Sequence, residues 1–149
     1  MINLFLTSTR LFIIVSKYLV ESFYDGRKVS SRELANTYNV NNRALIPILN
    51  RLTRTGYLHS QVGGLNPGHI FSKDPKKISV GEVIVALEGE MDMMGCDSIL
   101  GDGVTGCTSE NRCKFCRTIS NFIELGRKEI HSISLYDLYI DSKQTQKIN

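Results

Sequence analysis

The stretch SSRELANTYNVNNRALIPILNRLTRTG, residues 30–56, decides how the rest of the chain is read. Ser30-Ser31-Arg32-Glu33 fits a capping box, because the Ser30 hydroxyl and the Glu33 carboxylate can each satisfy an orphan amide at a helix start. Leu34, Ala35 and Tyr38 follow at helical spacing and make that helix short. Asn39-Val40-Asn41-Asn42 is a turn. Beyond it Leu45, Ile48, Leu49 and Leu52 recur at three- and four-residue steps up to Thr55-Gly56, where glycine suits a helix C-cap. Pro47 would remove the bond to the Arg43 carbonyl inside a helix, so regular helix is predicted to begin near Arg43 or Ala44, with Pro47 in the first turn.

Upstream, Leu11, Ile14, Val15, Tyr18, Leu19 and Phe23 mark a helix with one buried face over residues 7–23, with Thr7 or Ser8 able to cap it and Asp25-Gly26 to end it. Downstream the period changes. Residues 57–62 read as a strand, Gly63-Gly64-Leu65-Asn66-Pro67-Gly68 as a flexible tip, and residues 69–72 as the returning strand. Helix, helix, turn, helix, hairpin is the order of a winged helix. Ser79-Val80-Gly81-Glu82 is a second capping box, opening a helix through Val83, Ile84 and Leu87 that stops at Gly89.

Residues 90–117 hold all four cysteines and four glycines with little apolar periodicity, a loop long enough to be functional or disordered. A long helix is predicted next, with Ile119, Phe122, Ile123, Gly126, Ile130 and Ile133 along one seam; this stripe exceeds what a small winged helix needs for itself and favours pairing with a second copy. The predicted organisation is a winged-helix DNA-binding domain at 1–89, a Cys-rich sensor loop at 90–117, a dimerisation helix and short C-terminal helix at 118–140, and a flexible tail at 141–149. The fold class is mainly α with a small β-hairpin wing, α+β overall.

Charge supports a polyanion partner. Residues 1–80 carry eleven Lys and Arg against four Asp and Glu, and residues 81–149 carry seven against eleven, within a formal net charge of +3. The start of the second helix of the pair is where base edges are met in helix-turn-helix docking. Asn41, Asn42 and Arg43 stand there, with Ser31, Arg32, Arg51 and Asn66 as further candidate DNA contacts. Asparagine suits adenine and arginine suits guanine, although Asn41 and Asn42 also suit simple capping. Neither a nucleophile-base pair, a carboxylate pair nor a phosphate loop is found, so no enzymatic activity and no small-molecule substrate is expected.

The apolar run from Leu11 to Val20 is broken by Ser16 and Lys17 and has no cleavage site after it, which fits neither export nor a membrane span. A cytoplasmic protein is expected, whose cysteines sit in a reducing compartment. Cys96, Cys107, Cys113 and Cys116 are separated by ten, five and two residues, which is not a zinc-finger spacing. Thiolates in a Gly-rich loop suit an iron-sulfur cluster; thiol redox sensing, zinc and inert cysteines remain open on spacing alone. His59, His69 and His131 are scattered and read as structural or solvent-facing.

Leu6-Thr7-Ser8, residues 29–35, residues 52–58 and above all Ile78-Ser79-Val80-Gly81-Glu82-Val83-Ile84-Val85-Ala86-Leu87-Glu88-Gly89, followed by a Cys-rich loop and a long helix, resemble the Rrf2 family of bacterial regulators, which has IscR-, NsrR- and CymR-like members. The resemblance implies a homodimeric winged-helix protein on a palindromic promoter site in double-stranded DNA, sensing iron-sulfur, nitrosative or redox state through a 2Fe-2S or 4Fe-4S cluster that purification does not always retain. By position Cys107 and Cys113 match the second and third family cysteines. Cys116 falls where IscR-like members use histidine, and Cys96 would be the first ligand across a loop five residues longer than usual. Leu11 stands where NsrR-like members offer a partner-subunit aspartate, so an all-cysteine site within one chain is the alternative. Asn41, Arg43, Ala44 and Ile46 align with base-contacting positions; Ala44 and Ile46 are apolar, which implies a different target, and the wing lacks the family's arginine. Two other readings follow the residues themselves: a metal-free thiol-sensing regulator, and a winged-helix scaffold without specific DNA binding.

Overall fold

The structure, a computed structural model, describes residues 6–89 and 112–146. Helix α1 spans Thr7–Tyr24, α2 Ser31–Tyr38 and α3 Asn42–Arg54; strands β1 (Leu58–Gln61) and β2 (Gly68–Phe71) follow, then a 3-10 turn at Pro75–Lys77, α4 (Val80–Glu88), α5 (Lys114–Ser132) and α6 (Leu135–Gln146). The strands pair antiparallel with Leu58 opposite Phe71 and Gln61 opposite Gly68. Helix, helix, turn, helix, hairpin is therefore the observed order, and the fold is a winged helix with C-terminal helices added.

The apolar periodicity accounts for the core. Phe12, Val15 and Leu19 of α1, Leu34 of α2, Leu45, Leu49 and Leu52 of α3, Leu58 of β1, Ile78 and Leu135 are all essentially without solvent contact and form one cluster. Full burial of a leucine or phenylalanine contributes about 1.5–3 kcal/mol, so this cluster dominates the folding energy. The buried residues of α3, Leu45, Ile48, Leu49 and Leu52, are related by three- and four-residue steps, so one face of α3 is spent on the core and the other is left outward.

Helix starts differ from the sequence reading in three places. The N-cap of α1 is Leu6, with Thr7 and Ser8 already inside the first turn; no side chain caps it, and the Leu6 amide instead donates to Glu88 Oε1 at the end of α4 (2.8 Å). At α2, Ser30 Oγ does accept from the Glu33 amide (3.1 Å), but the reciprocal half of the box is not made. The Glu33 carboxylate is taken by Arg27 Nη1 and by the Tyr18 hydroxyl (2.8 Å), two stronger partners that lock α1 to α2. The Ser79–Glu82 box at α4 is complete in both directions. Helix α3 begins at Asn42, so Pro47 is its sixth residue and sits past the first turn. With no N–H on Pro47, the Arg43 carbonyl has no intrahelical donor.

The C-terminal boundaries also move. Helix α5 begins at Lys114, not 118, so Cys116 lies in its first turn instead of a loop. Helix α6 runs to Gln146, so residues 141–146 are helical and not a frayed tail. Lys143 pairs with Glu21 of α1 at 2.7 Å, and Tyr136 packs edge-on against Tyr24, contacts that hold the last helix onto the first. No helix among the described residues is long and apolar enough to cross a membrane.

The hairpin is bolted to the α1–α2 connection. His69 exchanges both backbone hydrogen bonds with Val29 (2.8 and 2.9 Å). Burial holds the His69 imidazole below its ordinary value, and its Nδ1 has no partner among the described residues. The unfolded chain takes up this proton near pH 6.5 and the folded chain only at lower pH, so the neutral ring supports the fold above that point and the support is lost as pH falls through the depressed value. Denaturant titrations from pH 7 to about 5 are expected to show falling stability, and His69→Gln to flatten that region while leaving the carboxylate-driven loss below about pH 4. A slope unchanged in His69→Gln would assign the effect to another group.

Candidate nucleic-acid interface and thiol pair

The outward face of α3 starts at its cap. Asn41 adopts extended backbone and its Oδ1 accepts from the Arg43 amide at 2.9 Å, so capping occupies its carbonyl while the N–H donors of its Nδ2 remain for a ligand. Asn42 is half-buried and its Oδ1 lacks a partner among the described residues. Arg43, Ala44, Ile46, Pro47 and Asn50 are exposed, and among these Arg43 brings the cation. From Leu34 to Lys73 the chain contains no Asp or Glu, while Arg43, Arg51, Arg54 and Lys73 lie within it. A count in shorter windows would have found this carboxylate-free run.

The other candidate contacts are distributed unevenly. Ser31 and Arg32 occupy the first turn of α2, Arg32 exposed and Ser31 half-buried. Asn66 is exposed at the hairpin tip. Arg51 sits in the last turn of α3 and its Nε donates to the Ala86 carbonyl of α4 at 2.7 Å. Together with the Leu6–Glu88 bond, this makes the last turn of α4 the meeting point of α1 and α3, a role that no local pattern around Arg51 announces. Between these three helices lies a cleft of about 350 Å³ lined by Leu11, Pro47, Ile48, Arg51 and Leu87 among others.

Cys113 is the N-cap residue of α5 and is exposed; Cys116 is buried in the first turn. The Cys116 amide, the Cys116 thiol and the Phe115 amide face the Cys113 sulfur, and they hold its thiol below the ordinary thiol range. A helix start stabilises a thiolate in this way. Two sulfur donors at one helix end, one readily anionic and one sheltered from water, fit the soft, charge-neutralising ligands that iron-sulfur clusters require. Cys96 and Cys107 lie outside the described residues, and no group of three metal-ligating side chains is found among the described ones. His131 is set apart from the thiols: its Nδ1 meets Ser79 Oγ at 3.2 Å.

Helix α5 carries its apolar residues in two sets. Phe115, Phe122 and Leu125 are more than 60% exposed, while Ile119, Ile123 and Ile130 are half-buried. The predicted seam is thus shared between packing onto α4 and an open face.

Comparison with known proteins gives concordant results. A structure of T. potens IscR superposes with a TM-score of 0.74 over 95% of this chain and 89% of its own, at 20% identity. CymR (YrzC), the global cysteine regulator of B. subtilis, is similar with a TM-score of 0.73 over 93% of this chain and 97% of its own, at 18% identity. The oxidized form of Staphylococcus aureus CymR matches at 0.69 and 18% identity, covering 92% and 96% of the two chains. These likenesses establish the fold. The sequence model of one family, Rrf2, described as an iron-dependent transcriptional regulator, matches residues 8–141. A match over nearly the whole length, on a winged helix whose outward α3 face carries no acid, places this chain in the Rrf2 family of transcriptional regulators.

Proposed function

We propose that the protein is a homodimeric regulator that reads duplex DNA through the start of α3 and responds to cellular iron-sulfur or redox state through its cysteines. The observation that carries the reading is the outward, carboxylate-free face of α3, headed by Asn41 and Arg43. A guanidinium there is suited to the paired acceptors of guanine and an asparagine amide to adenine. The exposed Phe115, Phe122 and Leu125 supply an apolar face for a second copy of α5, which would set two α3 helices on the half-sites of a palindrome.

Cys113 and Cys116 are the residues that would hold an iron-sulfur cluster from the α5 side, with Cys107 and Cys96 as the remaining donors. The bound cluster supplies iron whose oxidation state and ligands respond to oxidants and nitric oxide. Cys113 and Cys116 open α5, and Arg51 ties α3 to the last turn of α4. A change at the thiols therefore reaches the reading helix through α5 and α4, which pack together. The same adjacent thiols, one exposed, also support a metal-free redox pair as a second reading.

One preparation tests these assignments. Protein purified without oxygen is expected to hold iron and sulfide in comparable amounts and to bind duplex DNA with an affinity that falls steeply with salt. Arg43→Ala should weaken binding by about 1–3 kcal/mol without changing iron content. Serine at Cys113 and Cys116 should abolish iron while preserving the fold. Iron-free protein whose DNA affinity still changes on oxidation favours the thiol pair, and failure to bind any duplex at low salt favours the scaffold reading.

A further inference from the structure

Arg51 also lines a second cleft, of about 500 Å³, whose walls come from the end of α3, the entry to β1, α4 and the last turn of α5. Three side chains on these walls keep hydrogen-bond donors with no partner among the described residues. Arg51 gives its Nε to the Ala86 carbonyl, which leaves its two Nη nitrogens as a pair. Tyr57 brings a hydroxyl; burial and the neighbouring Glu82 carboxylate push this phenol above its ordinary value, so it stays a donor. His131 brings Nε2. Ser79 Oγ already accepts from the Glu82 amide at 3.1 Å, so its hydrogen is the one to give to His131 Nδ1, and the neutral ring then carries its proton on Nε2.

The imidazole is set in place before any ligand arrives. A Cβ on Gly81 would stand 2.5 Å from the ring, so glycine there lets His131 lie against the α4 backbone, and the Ser79 bond fixes its rotation. The carboxylate on the cleft wall does not stand free to repel an anion. Glu82 Oε1 pairs with Lys73 at 3.2 Å, and Oε2 accepts from the Ser79 amide at 2.7 Å. Val85 and Ala86 add an apolar wall.

These features define the chemistry of an occupant. A guanidinium with two free N–H groups side by side matches the two oxygens of a carboxylate. The phenol and the imidazole N–H can meet the lone pairs that remain, and the apolar wall with the Tyr57 ring suits a compact hydrocarbon body. The volume is that of an ordinary small-ligand site. A bare phosphate would satisfy the donors but set a fully charged group against Val85 and Ala86.

We propose that this cleft is an effector site for a small organic carboxylate, held by Arg51, Tyr57 and His131. Its walls belong to α3, the hairpin, α4 and α5, so an occupant ties the proposed reading helix to the proposed dimer helix. The effect on DNA rests on the DNA-binding reading above; the binding of the carboxylate does not.

The test titrates benzoate into isotopically labelled full-length protein at constant ionic strength, with benzamide as the uncharged match and inorganic phosphate as the other anion. Benzoate is expected to shift the Ala86 amide and Arg51 side-chain resonances saturably, and benzamide at equal concentration to leave them in place. Arg51→Gln should weaken benzoate binding about tenfold or more, the loss of a charge-assisted bond. Because Arg51 also holds Ala86, Tyr57→Phe is the second variant: it keeps the ring, removes one donor and should weaken binding about threefold. Saturating benzoate should change the affinity for duplex DNA about fivefold or more, and the duplex should change the affinity for benzoate by the same factor. No saturable shift, or equal affinity in the parent and both variants, would overturn the site. Phosphate that saturates the same resonances more tightly than benzoate would overturn the carboxylate assignment, and an unchanged duplex affinity would overturn the effector role. Benzoate binding as expected to a protein that binds no duplex at low salt supports the site and refutes the DNA-binding reading alone.

Discussion

Alanine at Gly68 is expected to destabilise the protein by roughly 3 kcal/mol or more, combining backbone strain with a steric clash. Gly68 has φ +147, a conformation that side chains resist, and a Cβ there would lie 2.8 Å from the Val29 carbonyl carbon and 2.9 Å from its oxygen. Both neighbours are backbone, and Val29 is fully buried, so neither can swing aside. Relief would require separating β2 from the α1–α2 connection and breaking the paired Val29–His69 hydrogen bonds. In a chain of this size the loss corresponds to a Tm lower by roughly 10 °C. Gly56→Ala is the control. Gly56 also has positive φ, +83, but nothing lies within 4 Å of a Cβ there, so strain alone applies, about 1–2 kcal/mol. Equal Tm shifts in the two variants, read by calorimetry, would show that the Val29 contact costs nothing.

Aspartate at both Phe122 and Leu125 should convert the proposed dimer into monomers. The two side chains are 63% and 68% exposed in the single chain, so charging them leaves the internal packing of α5 intact. In an apolar interface between copies the same carboxylates would be buried and unpaired, at a cost of several kcal/mol. Sedimentation velocity should show one species at half the parent mass. Affinity for a palindromic duplex should fall by about a hundredfold or more, since the second half-site is no longer delivered by the first. A double variant that still sediments as a dimer would move the interface off α5.

The parts of the fold that local pattern controls were legible in the chain. Apolar spacing located α1, α2, α3 and α4, Gly63 to Gly68 marked the hairpin, and Ser79–Glu82 marked the start of α4 correctly down to its hydrogen bonds. Where the reading went astray, a distant residue had decided the outcome. Glu33 sits at the right place for a capping box, yet Arg27 and Tyr18 claim it, and the affinity of a carboxylate for a guanidinium is invisible to a four-residue motif. Thr7 and Ser8 have capping side chains, but α1 starts one residue earlier because Glu88, 82 positions away, receives the Leu6 amide. Arg51 was a candidate DNA contact, and its Nε bond to the Ala86 carbonyl is a structural role that the local sequence does not announce. Residues 141–146 are polar and resemble a loose end; Lys143 and Glu21 hold them in α6. Pro47 shows the reverse case, a local rule overridden because the four buried residues of α3 hold the helix together around a missing bond.

Twenty-two residues separate Gly89 from Arg112, and the two helices that flank them also make contacts of their own. Helix α4 packs on α5, Ser79 bridges to Ser134, and the Val80 amide donates to the Ile133 carbonyl at 2.8 Å. The distance the intervening chain must span is therefore set by other parts of the molecule. Closing such a span costs only about 0.6 kcal/mol more for each doubling of its length. Cysteine spacing can accordingly be lengthened or cut over generations of mutation at almost no thermodynamic penalty to the winged helix. A proposed ligand set could thus change its geometry on an unchanged winged helix.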